Sequence, residues 1–127
     1  PHVLETLNEL KSRGFILTIA SSRSRSSLTD YITNLHLTDT ISYVLGADDV
    51  KDGKPNPEPV NRTLKEFGIK PEEAIVVGDT VFDIQMGKNA GTRTCGVTYG
   101  NGSRESLKDA DWIIEDFGQL LDILDNK

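Results

Sequence analysis

Ala74-Ile75-Val76-Val77-Gly78-Asp79-Thr80-Val81-Phe82-Asp83, running on through Ile84 to Gly91, decides the fold of this 127-residue chain. Ala74 to Val77 is a short apolar run rich in β-branched residues, the pattern of a strand buried on both faces. Gly78 breaks the run and Asp79 stands where the strand ends. From about Thr80 to Ala90 the sequence predicts a helix, with Val81, Ile84 and Ala90 as its apolar stripe and Gly91 as its stop. Ligands of open α/β sheets sit just beyond the carboxyl ends of the strands. Asp79 falls at that edge, and Asp83 follows one helical turn later, so the two carboxylates can face one point. Two hard oxygen donors beside a helix N-terminus suit Mg²⁺ together with a phosphate. The same two residues also fit a plainer arrangement, with Asp79 a helix cap and Asp83 a solvated first-turn acid.

Outward from this stretch, strands and helices alternate. On the amino-terminal side, His2 to Ser12 has an amphipathic helical spacing stopped by Gly14, and Phe15 to Ala20 is a second buried-strand candidate. Ser24 to Asn34 is a predicted helix and Ile41 to Leu45 a third strand. Gly46 to Pro57 is a loop by its Gly, Pro and Asp content. Asn56 then caps a helix with Pro57 as its first residue and Gly68 as its end. On the carboxyl-terminal side come a strand at Thr92 to Val97 and a short helix at Ser103 to Lys108. A strand at Asp111 to Ile114 and a helix at Phe117 to Leu124 complete the series. The alternation predicts one α/β domain, a Rossmann-like, mostly parallel sheet with helices on both faces.

Bulk properties narrow the function classes. Hydrophobic residues make up 36% and charged residues 27%, ordinary values for a single domain with a real core. A net charge of −6 argues against nucleic acid or an anionic membrane surface as the main partner. No apolar run approaches membrane-spanning length, and no signal-peptide pattern is visible. The lone Cys95 falls in a predicted strand and reads as a small core residue in a reducing, cytoplasmic compartment. The chain opens on Pro1 rather than methionine, which leaves room for residues ahead of it.

Three polar groups fall at strand ends or in the loops just after them. Ser21, with Ser22 beside it, follows the strand ending at Ala20; Lys54 lies in the loop after Leu45; Asp79 follows Val77. Parallel strands bring all three to one edge. Singly, the serines fit a turn and Lys54 a solvated surface lysine. Together they make a hydroxyl donor, a cation and a metal-binding acid on one rim, as a transferring phosphoryl group requires.

These residues carry a resemblance to the haloacid dehalogenase-like (HAD) hydrolases, within their phosphoglycolate phosphatase-like branch. Ile16-Leu17-Thr18-Ile19-Ala20-Ser21 resembles the family's second motif, a hydrophobic strand ended by Ser or Thr. Lys54-Pro55-Asn56-Pro57 resembles the third, and Gly78-Asp79-Thr80-Val81-Phe82-Asp83 the fourth. Gly96 to Gly102 is similar to a loop typical of that branch. The resemblance implies a Mg²⁺-dependent phosphomonoester hydrolase that acts on a small phosphorylated metabolite through an aspartyl-phosphate. It implies that Ser21, Ser22 and Lys54 bind phosphate, with Lys54 offsetting charge between the phosphate and a nucleophilic carboxylate. Asp79 would ligate Mg²⁺, and Asp83 would join it or orient its water shell.

One departure stands against these matches. The family's first motif, Asp-x-Asp-x-Thr or -Val, supplies the nucleophile and the general acid/base, and no such segment occurs here. Asp48-Asp49-Val50 and Asp111-Trp112-Ile113 have the wrong spacing. By resemblance, residues 1–127 are one HAD-like core domain lacking the nucleophile strand and the helical cap. In the family fold that strand lies between those ending at Ser21 and Asp79, so its absence would expose two inner edges. Other readings of the same residues are a β-phosphoglucomutase-like phosphotransferase, favoured by Ala20-Ser21-Ser22, and a non-catalytic phospho-receiver or binding module. A receiver needs its groups in the order Asp, Ser/Thr, Lys, whereas here the order is Ser, Lys, Asp.

Overall fold

The computed structural model describes residues 3–20, 24–46, 49–51, 56–98 and 104–125. Within them strands and helices alternate: α1 (Val3–Ser12), β1 (Thr18–Ala20), α2 (Arg25–Asn34), β2 (Tyr43–Leu45) and α3 (Glu58–Phe67). After a 3-10 turn at Pro71–Glu73 come β3 (Ile75–Gly78), α4 (Val81–Ala90), β4 (Arg93–Val97), β5 (Trp112–Ile114) and α5 (Gln119–Asp125). Local chemistry sets several boundaries. The Ser24 side chain accepts from the Ser27 amide at 3.3 Å and starts α2. Asn56 Oδ1 accepts from the Glu58 amide at 2.9 Å, so Pro57 sits at the cap of α3 rather than inside its first turn as expected.

All strand pairs are parallel, as the alternation predicts, but they form two sheets rather than one. β1 pairs with β2, with Ile19 opposite Val44. β3 pairs with β4 and β4 with β5, with Val77 opposite Cys95 and Gly96 opposite Ile113. Thr94 and Asp111 exchange bonds across the last pair: the Thr94 amide donates to Asp111 Oδ2 at 2.8 Å, and the Asp111 amide to Thr94 Oγ1 at 3.1 Å.

The sheets lie between two helical layers. Ile75 and Val77 pack into a core with Leu10, Leu120 and Leu124, whereas Val76 packs with Val60, Leu64 and Met86. Alternate residues of a strand face opposite sides. Hence α1 and α5 cover one face of β3, and α3 and α4 the other. α2 joins the first layer through Leu28 and Ile32, which pack with Ile19, Val44 and Leu7. α4 lies very close to its sheet because Gly87 has no side chain: a Cβ there would stand 2.7 Å from Thr94 Cγ2.

Between β1 and β3 runs a cleft of about 550 Å³, lined by residues of both strands. It accounts for two departures from expectation. β3, expected to be buried on both faces, is only half-buried at all four residues. Of the expected strand Phe15 to Ala20 only Thr18–Ala20 pairs, and Ile16 is 47% exposed. Among the described residues, each of these strands has a neighbour on one side only. The helix expected at Ser103 to Lys108 is replaced, over its described part, by turns. Their bonds span three residues, from the Leu107 amide to Arg104 and from the Lys108 amide to Glu105, and Leu107 is drawn fully into the core.

Candidate functional site

The connections leave the cleft in opposite directions: β1 leads through α2 to β2 on one side, β3 through α4 to β4 on the other. This is the reversal of strand order at which open α/β sheets place their ligands, beyond the carboxyl ends of the strands. Asp79 follows the last residue of β3 at that edge and is half-buried.

Thr80, not Asp79, is the cap of α4. It is extended, with φ −129° and ψ 161°, and its Oγ1 accepts from the Asp83 amide at 3.3 Å. Asp83 completes a reciprocal capping box. Its Oδ2 accepts from the Asp79 amide at 3.2 Å, the Thr80 amide at 3.3 Å and the Thr80 hydroxyl at 3.1 Å. Asp83 is therefore not a solvated acid: it is 6% exposed and folds back over Gly78. A Cβ on residue 78 would lie 2.2 Å from the Asp83 Cβ, so only glycine admits this arrangement. The two carboxylates consequently differ. Asp83 fixes the strand-to-helix turn, and that turn presents Asp79 beside the positive end of a ten-residue helix.

Ser21, Ser22 and Lys54 lie outside the described residues. The strand before the serines, β1, ends at Ala20, and the loop that carries Lys54 leaves β2 at Leu45. The described residues Gly46 and Asp49 of that loop are tied down by contacts that the sequence did not disclose. Asp49 Oδ2 accepts from the Gly46 amide at 2.8 Å and from Arg25 Nη1 at 3.0 Å, and Arg62 of α3 donates to the Asp49 carbonyl. The Gly46 amide bond, with Arg25 and Arg62 nearby, holds the Asp49 carboxyl below the usual carboxylate range against some desolvation. Arg25 and Asp49 are far apart in sequence and share no motif, so nothing in the chain marks the pair.

Two other acids already have partners of their own. Asp111 precedes β5 and thus sits at the amino-terminal edge, bonded to Thr94. Asp49 is held by Gly46 and Arg25. Cys95 is fully buried, as expected for a core residue, and burial pushes its thiol up to about 11, leaving it neutral and inert. Among the described residues, no cluster of three or more His, Cys, Asp or Glu could hold a metal, and no helix is long and apolar enough to cross a membrane.

The profile of the haloacid dehalogenase-like hydrolases matches residues 1–97. The chain belongs to that family. Within it, the chain is 38% identical over 123 residues to the pyrophosphatase PpaX of Bacillus velezensis, covering 95% of this chain and 57% of that protein. It is 35% identical over 126 residues to a phosphoglycolate phosphatase of Salmonella choleraesuis, covering 98% of this chain and 50% of the relative. The fold superposes with a TM-score of 0.92 on a predicted phosphoglycolate phosphatase from Haemophilus somnus, at 31% identity over 98% of this chain and 56% of that one. A Thermotoga maritima structure provisionally described as a β-phosphoglucomutase aligns with a TM-score of 0.89 and 26% identity, covering 99% of this chain and 59% of that one. The chain thus spans about half the length of the curated HAD relatives it matches. These matches place it in the phosphoglycolate phosphatase-like branch and bear out the α/β, Rossmann-like architecture.

Proposed function

We propose that this chain is the carboxyl-terminal part of the core of a Mg²⁺-dependent phosphatase that hydrolyses a small phosphorylated metabolite in the cytoplasm. The observation that carries this is the Gly78 to Asp83 turn, which presents Asp79 at the carboxyl edge of β3 beside the N-terminus of α4. Magnesium is ordinarily held by one or two carboxylates, with water and substrate phosphate completing its shell. Asp79 and Asp83, both hard oxygen donors, fit that requirement without a dedicated protein cage. When bound there, the ion supplies charge neutralisation for the phosphoryl oxygens.

The chain's own residues then divide the work. Asp79 anchors the metal, while Asp83 keeps the turn rigid and joins the ion directly or through its water shell. Ser21 and Ser22 donate hydrogen bonds to phosphoryl oxygens. Lys54 would offset the charge of the phosphate and of an attacking carboxylate. That carboxylate, which would carry the phosphoryl group as an aspartyl-phosphate, belongs by resemblance to the family's first motif, for which none of these 127 residues stands. Relatives named for pyrophosphate and phosphoglycolate support a small anionic substrate. Likeness to the Thermotoga maritima protein keeps phosphotransfer as the second reading.

The test is turnover of p-nitrophenyl phosphate with Mg²⁺. The 127-residue chain alone should show none. A hybrid in which it replaces the matched part of Bacillus velezensis PpaX should hydrolyse the ester. Turnover by the chain alone, or an inert but folded hybrid, would sink the proposal.

A further inference from the structure

Asp49 ties three elements together at the carboxyl end of β2. It exchanges two bonds with Gly46, the residue that follows the strand. The Asp49 amide donates to the Gly46 carbonyl at 3.1 Å, and the Gly46 amide donates to Asp49 Oδ2 at 2.8 Å. The same oxygen accepts from Arg25 Nη1 at 3.0 Å, and that nitrogen also donates to the Val44 carbonyl of β2 at 3.3 Å. From α3, Arg62 donates to the Asp49 carbonyl. As an ion pair this contributes little to stability, because the Arg25 side chain is 56% exposed and solvent screens it. Its effect is geometric.

Arg25 opens α2, which follows β1, so its bond draws the chain leaving β2 back towards the end of β1. α3, which supplies Arg62, packs on both β1 and α4 and so reaches towards the Asp79 side of the cleft. Glu58 of α3 adds a second fixture. Its Oε2 accepts from the Lys51 amide at 3.3 Å, and its own amide donates to Asn56 Oδ1 at 2.9 Å. Lys54 belongs to residues 52–55, and the residues on either side of that stretch, Lys51 and Asn56, are bound to this one glutamate.

We propose that Asp49 is a positioning residue: by clasping Gly46, Arg25 and Arg62 it fixes the segment that carries Lys54 at the reacting edge. This rests on the phosphatase reading, in which Lys54 meets the phosphoryl group. The part played by Asp49 is indirect, since its carboxylate is engaged by Gly46 and Arg25. A loose lysine-bearing segment would have to be ordered at each turnover, whereas the clasp orders it beforehand. Misplacing a reacting group by about 1 Å can cost about 10²-fold in rate. A distant anchor can therefore matter to rate while adding little to stability.

The test is steady-state hydrolysis of p-nitrophenyl phosphate by the PpaX hybrid carrying Asp49→Ala, Asp49→Asn, Lys54→Ala, or Asp49→Ala with Lys54→Ala. Circular dichroism checks the fold of each. Asp49→Ala should lower kcat about tenfold and leave KM within about twofold. Asp49→Asn keeps an acceptor for the Gly46 amide and should lose less. The double variant decides the role. With Lys54 gone, Asp49 has nothing to position, and its removal should cost no further rate. An equal loss with and without Lys54 would overturn the proposal by making Asp49 a general structural support. No loss in either background would overturn it and leave the phosphatase reading standing, whereas an inert but folded parent hybrid would sink both. Backbone amide relaxation of the full 127-residue chain adds a readout that needs no activity. Lys51 should gain motion on the picosecond-to-nanosecond scale in Asp49→Ala. A Lys51 amide as rigid as in the parent would overturn the hold of Asp49 on the segment.

Discussion

Asp83 is folded back on Gly78 so tightly that a Cβ on residue 78 would stand 2.4 Å from the Asp83 carboxyl carbon. The packing is backbone against a side chain held by three hydrogen bonds, so neither partner can yield cheaply. Gly78→Ala should destabilise the chain by about 1–3 kcal/mol, the usual cost of overpacking. Urea unfolding checks the magnitude. Amide chemical shifts should show the disturbance centred on Asp79 to Asp83, and a variant as stable as the parent would mean that the turn is looser than described.

Lys54 separates a surface role from a catalytic one. A solvated lysine replaced by alanine changes stability by no more than about 0.5 kcal/mol and leaves rate alone. A lysine between phosphate and nucleophile loses a charge contact that counts in the transition state, at a cost of about 10²–10³ in rate. Lys54→Ala in the PpaX hybrid should follow the second course. Lys54→Arg should rescue poorly, because a planar guanidinium does not replace a compact ammonium. Steady-state rates of the three proteins decide between these outcomes.

Cys95 gives a pH dependence with a definite sign. Its thiol is raised by burial from 9.0 to about 11 in the folded chain. Between those values the unfolded chain has lost the proton and the folded chain keeps it. The unfolded state therefore binds fewer protons, and stability must fall as pH rises through this window. The loss from this group should approach about 1.4 kcal/mol per pH unit. Urea midpoints of the parent and Cys95→Ala, measured from pH 8 upward, should converge as pH rises. A parallel pair of curves would contradict the burial of the thiol.

The fold was legible wherever local chemistry and periodicity agreed. The β3 to α4 stretch was read almost to the residue because a β-branched run, a glycine and a helical stripe follow one another. Spacing brings the two carboxylates to one turn but says nothing of how their surroundings differ. Only the turn geometry shows that Thr80 caps α4 while Asp83 is pulled inward over Gly78. The Ser103 to Lys108 helix failed because Leu107 is drawn into the core, a tertiary demand that a six-residue window does not contain. Half-burial of β1 and β3 was misjudged for a related reason: composition says how apolar a strand is, not how many neighbours it has. The Asp49 to Arg25 clasp joins residues from different elements and leaves no trace in either one.

The central claim is that Asp79, presented by the Asp83 turn, is the metal-binding acid of a phosphatase. Its most direct test is the Mg²⁺ dependence of p-nitrophenyl phosphate hydrolysis by the PpaX hybrid carrying Asp79→Asn, beside the same hybrid carrying Asp83→Asn. Asp79→Asn is nearly isosteric and should leave the circular dichroism and urea midpoint unchanged while abolishing Mg²⁺-dependent turnover. Asp83→Asn keeps an acceptor oxygen for the turn and should retain more activity. Unchanged rate and Mg²⁺ dependence in a folded Asp79→Asn hybrid would contradict the account.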